Sequence, residues 1–263
     1  MNERHEHRLD IDNAVATVTL ERPAAYNALT RKLLDALFAT LKEIERNPAV
    51  RAVVITGAGN GFCAGQALDD ADTIRPDGAM DLYAAVSEGF NPMIRLLLTL
   101  EKPVIAAVNG VAAGAGFGLA LACDFRIVAH SATFTTAFAK IGLVPDSGVS
   151  FLLPRIVGYA KALELCMLSG KIDAAAASAL GLVTELAPLD DVVGRAQALG
   201  AQLAAGPRAL GLIKRQLLRN GVGDIAGALR YEAEMQSVAG ATSDAIEGIA
   251  AFSAKRRAVF SGR

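Results

Sequence analysis

Two glycine-rich loops, each entered from a short apolar run, constrain this chain more than any other feature. The first is VRAVVIT (50–56) leading into GAGNGFCAGQ (57–66). The second is PVIAAV (103–108) leading into NGVAAGAGFGLALA (109–122). A short apolar run bounded by glycine reads as a strand buried on both faces. Glycine then allows a turn tighter than other residues tolerate. Two such turns can bring free main-chain N–H groups to one point. Two converging N–H donors form an oxyanion hole, which stabilises negative charge developing on a carbonyl oxygen. A helix opening from the second loop adds its favourable N-terminal dipole.

The chain has 263 residues, a length suited to one large α/β domain or to one domain with a helical appendage. Lys and Arg number 26 against 27 Asp and Glu, so no global basic field points to nucleic acid or an anionic membrane. A hydrophobic share of 52% with 20% charged residues excludes disorder. Cys63, Cys123 and Cys166 are far apart and form no disulfide framework or zinc-ligand spacing. His5 and His7 fall in an N-terminus expected to fray, so no histidine metal site is expected. The start, MNERHEHRLDID, lacks the apolar core of a signal peptide, which favours a reduced, cytoplasmic protein. Val104 to Cys123 is uncharged and contains Gly110-x-x-x-Gly114, but Pro103, Asn109 and the glycines make it a buried strand and helix, not a membrane span.

Along the chain, AVATVTL (14–20) reads as a strand and ERPAAYNAL (21–29) as a turn. A helix opens at Thr30 as N-cap, with Leu33, Leu34, Leu37, Phe38, Leu41 and Ile44 on one face. Residues 69–80 are polar, broken by Pro76 and Gly78, and read as a mobile loop; helix returns over 81–100. FRIVA (125–129), ATFTT (132–136) and LVTELA (182–187) read as strands, and PDSG (145–148) as a turn. Segments 159–170 and 174–180 are helical, the second capped by Asp173 and stopped by Gly181. Beyond 190 only helices follow. The organisation is strand–strand–helix units, then an all-helical end. We place the core with its site at 1–195 and a helical oligomerisation segment at 196–263.

Gly59 to Ala64 matches the dinucleotide fingerprint G-x-G-x-x-A. That fingerprint needs a long helix to open at once, and AGQALDDADTIRPDG cannot supply one. Nicotinamide or flavin binding is therefore the weaker reading.

These pieces, with FAKIGLVPDSG (138–148), GLVTEL (181–186) and AFSAKRRAVF (251–260), resemble the enoyl-CoA hydratase/isomerase, or crotonase, family. They recur in family order over nearly the whole chain. The resemblance implies an α/β fold: a spiral of ββα units with a C-terminal helical trimerisation region. It implies an acyl-CoA thioester substrate, a homotrimer or dimer of trimers, and neither metal nor separate cofactor. It implies an oxyanion hole from the main-chain amides of Gln66 and Ala115, the latter in place of a commoner glycine. Through the same resemblance Arg22, Ala24, Ala64, Gly65, Gln66 and Leu68 approach the CoA, and Lys255, beside Phe252, covers the CoA of a neighbouring subunit.

The family's hydratases carry two glutamates, at positions matching Gly118 and Phe138 here. Hydration needs one group to activate water and one to protonate the α-carbon, and these two residues can do neither. Asp146 is what remains. Alone, Pro-Asp-Ser-Gly marks a turn; by resemblance to the family's isomerases and aryl-CoA dehalogenases, Asp146 is the working acid/base of an isomerase. Within the family the chain looks most like the phenylacetate-pathway group that rearranges a ring epoxide. It departs from that group at Ala67, usually Asp, and at Val149-Ser150, usually Gly-Thr. The alternatives are an enoyl-CoA hydratase with another acid/base pair, and a non-catalytic acyl-CoA-binding protein. Cys63, with no histidine near it in sequence, is expected to be a buried small residue rather than a nucleophile.

Overall fold

The computed structural model describes residues 6–75 and 77–263, so His5 and Pro76 lie outside the described residues. The strands are β1 (His7–Asp12), β2 (Val15–Leu20), β3 (Ala52–Gly57), β4 (Gly61–Cys63), β5 (Val104–Val108), β6 (Val111–Ala113), β7 (Phe125–Ala129), β8 (Thr133–Thr135), β9 (Ile172–Asp173) and β10 (Glu185–Ala187). The helices are α1 (Arg31–Arg46), α2 (Leu82–Ala84), α3 (Asn91–Thr99), α4 (Ala115–Ala122), α5 (Val149–Val157), α6 (Tyr159–Leu168), α7 (Ala174–Ala179), α8 (Val192–Ala204), α9 (Ala209–Asn220), α10 (Ile225–Gly240) and α11 (Ser243–Ser253).

One sheet runs β1-β2-β3-β5-β7-β10 and a smaller one β4-β6-β8-β9. β1 and β2 both lie in the large sheet, and from β3 onward each successive pair of strands is divided between the two. β3, β5 and β7 enter the large sheet; β4, β6 and β8 enter the small one. Helices then carry the chain back, because parallel neighbours need a crossover. Ile55 sits opposite Ala106 and Ala107 opposite Ile127 in the large sheet, while Ala112 sits opposite Phe134 in the small. The result is a spiral of ββα turns. Every residue of β2, β3 and β5 is buried, which is why these strands lack polar alternation.

Local signals act as expected in several places. The Thr30 hydroxyl accepts from the Leu33 amide at 3.1 Å, and Leu33, Leu34, Leu37, Leu41 and Ile44 are buried. Asp173 caps α7 through the Ala176 amide at 2.8 Å. α2 runs through a π-helical turn (Ala85–Phe90) into α3, as one helical stretch. The uncharged run 104–123 becomes β5, β6 and α4, and no helix among the described residues is long and apolar enough to cross a membrane.

Other expectations need correction. His7 does not fray: it opens β1, which pairs antiparallel with β2, and its Nε2 lies 2.8 Å from the Thr40 hydroxyl. β1 is an exposed edge strand whose two apolar residues, Leu9 and Ile11, alternate with charged ones over a run too short to mark it. The sequence reading assigns no element to 149–157; the structure forms α5 there, with Pro154 inside it and Val149, Leu152 and Leu153 buried. The last strand spans only Glu185–Ala187. The boundary at 195/196 falls inside α8. That helix lies on the large sheet: Gly200 meets Val15 and Val54, and Gln197 donates to the Thr17 hydroxyl at 3.1 Å. The helical layer outside the core therefore begins after α8.

Candidate active site

The site grows from the turn that joins each strand of the large sheet to its successor in the small one. Gly59 to Ala64 opens no helix; it leads into β4, so the dinucleotide fingerprint is not realised. Asn109 ties the two glycine loops together. Its amide donates to the carbonyls of Gly57 and Gly59, both at 2.8 Å. The loops then run in contact. A methyl on Gly110 would overlap the Asn60 carbonyl, and one on Gly116 would overlap the Cys63 carbonyl. Any side chain would separate the loops, so glycine is required at both points.

Asn27 performs the same task for the turn after β2. Wholly buried, it accepts from the Arg22 amide at 2.9 Å and donates to the carbonyls of Ala58 (3.0 Å) and Gly61 (2.8 Å). Neither asparagine was singled out by sequence reasoning.

Gln66 forms a parallel bridge with Leu29. The Leu29 amide donates to the Gly65 carbonyl at 2.7 Å, and the Ala67 amide donates to the Leu29 carbonyl at 2.9 Å. Leu29 thus bonds to the residues flanking Gln66, which leaves the Gln66 amide turned to the other side. Gly65 has φ +97°, and a Cβ there would lie 2.8 Å from the Ala113 carbonyl oxygen and 3.1 Å from the Ala115 nitrogen. Ala115 is the first residue of α4, where main-chain donors lack partners within the helix. Among the described residues, no acceptor engages the amide of either Gln66 or Ala115. α4 is buried on all sides, and the Arg126 guanidinium closes its other end by donating to the carbonyls of Ala120 and Cys123.

One turn into α4, Gly118 faces the Asp146 turn. A Cβ on Gly118 would stand 2.5 Å from the Ser147 carbonyl oxygen and 2.7 Å from its Cβ. Ser147 is buried and donates to Asp146 Oδ1 at 2.8 Å. Burial pushes the half-buried Asp146 carboxyl above its ordinary range, and the Ser147 hydroxyl partly offsets this. Phe138 is buried, its ring tip 3.9 Å from where a Cβ on Gly114 would stand. The Cys63 thiol is buried and pushed up to about 12, so it carries no thiolate at neutral pH.

The residues anticipated around CoA divide into two places. Ala64 donates its amide to the Tyr26 carbonyl at 2.9 Å, which fixes the 22–26 turn, with Arg22 and the exposed Ala24, beside the first glycine loop. The Arg22 guanidinium donates to the Ala28 carbonyl at 2.5 Å and pairs with Glu6 at 3.5 Å. Leu68 is exposed at the loop's end. Lys255 lies apart, exposed just past α11, and no hydrogen bond or ion pair among the described residues links it to these loops.

A spiral of ββα turns with two unengaged amides on adjoining glycine loops, and a half-buried carboxylate on the turn packed against α4, defines a class, and the sequence comparisons agree with it. The profile of the enoyl-CoA hydratase/isomerase family matches residues 10–263, and the chain belongs to that family. The 1,2-epoxyphenylacetyl-CoA isomerase of Escherichia coli K12 is 41% identical, covering 96% of this chain and 97% of its own. The 4-chlorobenzoyl coenzyme A dehalogenase-2 of an Arthrobacter species is 33% identical over 82% of this chain and 80% of its own. The crystal structure of an enoyl-CoA hydratase from Bacillus anthracis superposes with a TM-score of 0.91 at 31% identity, covering 98% of this chain and 100% of that one. These relatives bear different reaction names, so the reaction has to be argued from the site.

Proposed function

We propose that this chain is an acyl-CoA isomerase, with Asp146 as its acid/base and the Gln66 and Ala115 amides as its oxyanion hole. The observation that carries this reading is the contact of Gly118 with Ser147. Where the family's hydratases have a glutamate, the Asp146 turn occupies the space, and at the second such position Phe138 is buried. One carboxylate suffices for a proton shuttle. Asp146 removes a proton from the α-carbon of a 3-enoyl thioester. The electrons of that C–H bond move onto the thioester oxygen, where the two amides and the α4 dipole meet the charge. The proton returns at the γ-carbon, the double bond comes into conjugation, and no atom is gained or lost. A ring-epoxide thioester rearranges when the C–C bond of its epoxide opens, its electrons redistributing within the ring to give the seven-membered ether, and the carboxylate then moves one proton from the α-carbon to a ring carbon; no atom is gained or lost. No metal, nicotinamide or flavin enters the scheme; coenzyme A belongs to the substrate.

An absorbance assay of the conjugated thioester tests this. A gain from 3-enoyl-CoA, with no loss from 2-enoyl-CoA, is expected. Loss from 2-enoyl-CoA would mean hydration, and turnover of neither by a protein that binds acyl-CoA would mean a binding protein. Replacing Asp146 by Asn is expected to keep the fold and acyl-CoA binding while lowering kcat by about 10²–10⁴-fold; full activity would remove Asp146 from its role.

The working unit we propose is a homotrimer or a dimer of trimers. Leu217 on α9, Ile225 and Leu229 on α10, and Ile246, Ile249 and Phe252 on α11 are all exposed in the single chain. This much apolar surface on consecutive helices suits contact with further copies. Lys255, exposed at their end, then faces a neighbour's CoA phosphates. Light scattering that returns a monomer mass would overturn the assembly.

A further inference from the structure

β1 is the outer strand of the large sheet, and among the described residues no strand pairs with its other side. An open strand edge is a template for another strand, and a chain either blocks it or uses it. The groups that β1 offers follow from its pairing with β2. The Glu21 amide donates to the Glu6 carbonyl at 2.8 Å, in line with the register that sets His7 opposite Leu20. Antiparallel pairing alternates along a strand. Arg8, Asp10 and Asp12 therefore turn their main-chain groups to β2, while Leu9 and Ile11 turn theirs outward. The Leu9 and Ile11 side chains are exposed as well, and charged residues alternate with them. Within one copy Arg8 meets its own Asp10 and Glu21. These are exposed pairs of little net strength, so exchanging them for pairs with another chain costs little.

We propose that β1 pairs antiparallel with β1 of a second copy, across a two-fold axis at Leu9. Leu9 then faces Leu9, and their outward N–H and C=O groups exchange two hydrogen bonds. Arg8 of each copy stands opposite Asp10 of the other, at the non-hydrogen-bonded positions where side chains come closest. The next registers in phase, two residues along in either direction, set Arg8 opposite Arg8 or Asp10 opposite Asp10. Like charges directly opposite disfavour both. Hydrogen-bond phase and charge thus select the same register. On the face that carries Asp10 and Asp12, a cavity of about 280 Å³ opens between β1 and Gln197 of α8, with room for the incoming Arg8 side chain. At the end of the pairing Asp12 falls opposite Glu6, whose carboxylate already meets the Thr30 hydroxyl at 2.9 Å and Arg22 at 3.5 Å. One strand pair alone is marginal in water. The inference therefore rests on the trimer reading above: three edges of one trimer pair with three of another, and multivalency holds the contacts together. The assembly closes at six chains.

The test reads the mass in solution of the wild type and of two charge-reversed variants. The wild type is expected at six chains. Arg8→Asp sets carboxylate against carboxylate and Asp10→Arg sets guanidinium against guanidinium, so each variant is expected at half that mass. Mixed one to one, the two become complementary, because every reversed charge meets its opposite, and the six-chain mass is expected to return. That return also shows that both variants are folded. Either variant holding at six chains, or a mixture that stays at three, overturns the inference. Leu9→Pro removes an outward N–H without touching a bond to β2, at a position where an edge strand tolerates proline. It too is expected at three chains, and six would overturn the inference. A wild type of three chains overturns the strand contact and leaves the trimer standing. A monomer overturns both. A wild-type dimer that Leu9→Pro splits would support the strand contact and sink the trimer.

Discussion

Ser147 takes a left-handed backbone conformation, φ +49°, that costs a non-glycine residue about 1–2 kcal/mol. The turn is held by the packing of Ser147 on Gly118 and by its hydroxyl on Asp146. That hydroxyl favours the charged carboxylate, against burial, which disfavours it. In Ser147→Ala the restraint is gone and burial acts alone, so the Asp146 pKa rises further. An enzyme that needs the carboxylate as base loses activity as pH falls through that pKa. The acid limb of the kcat/KM profile is therefore expected to move to higher pH in the variant; an unmoved limb would show that Ser147 does not tune Asp146. Residues of this kind differ in how openly a sequence shows them. Thr30 and Asp173 are legible because each caps its own helix three residues on. Asn27 and Asn109 are not, because their carbonyl partners lie 31 and 52 residues away, where only the folded chain brings them.

At the scale of elements, α4 is the part on which the site depends. It is wedged between β4, whose Cys63 carbonyl abuts Gly116, and the 145–148 turn, whose Ser147 abuts Gly118. Gly118→Ala is expected to destabilise the protein by about 1–3 kcal/mol through overpacking, read as a lowered melting midpoint. Gly118→Glu, which supplies a hydratase-like carboxylate, is expected to displace the Asp146 turn and reduce isomerisation without creating hydratase activity. Appearance of efficient hydration in that variant would show that Gly118 alone separates the two reactions. The helix and its loops were legible because glycines at close approaches must appear in the sequence. The three-residue strands β4 and β6 are less so, since each gains its pairing from a neighbour one spiral turn away.

Across the whole molecule, the last helix is tied to the start of α9 and to the chain's final residues. The Asp244 carboxylate is buried and accepts from the main-chain amides of Arg208 (2.9 Å), Ser261 (2.7 Å) and Gly262 (2.9 Å). Burial pushes its carboxyl up, but these donors and the Ser261 hydroxyl outweigh it and hold the group below the ordinary carboxylate range. A depressed pKa contributes stability that is present above the unfolded-state value and lost as pH falls through the folded one. In Asp244→Asn, the melting temperature at neutral pH is expected to drop. The gap to the wild type should close as the buffer is acidified; a gap independent of pH would show that charge plays no part. The division of each ββα turn's two strands between two sheets has a consequence for how the chain can be cut. Removing one ββα turn leaves both sheets a strand short and misaligns all turns that follow. Lengthening a helical crossover disturbs neither sheet. The architecture thus accepts insertions between its layers and refuses internal deletions, so new specificity can be grafted onto it but the scaffold cannot be shortened.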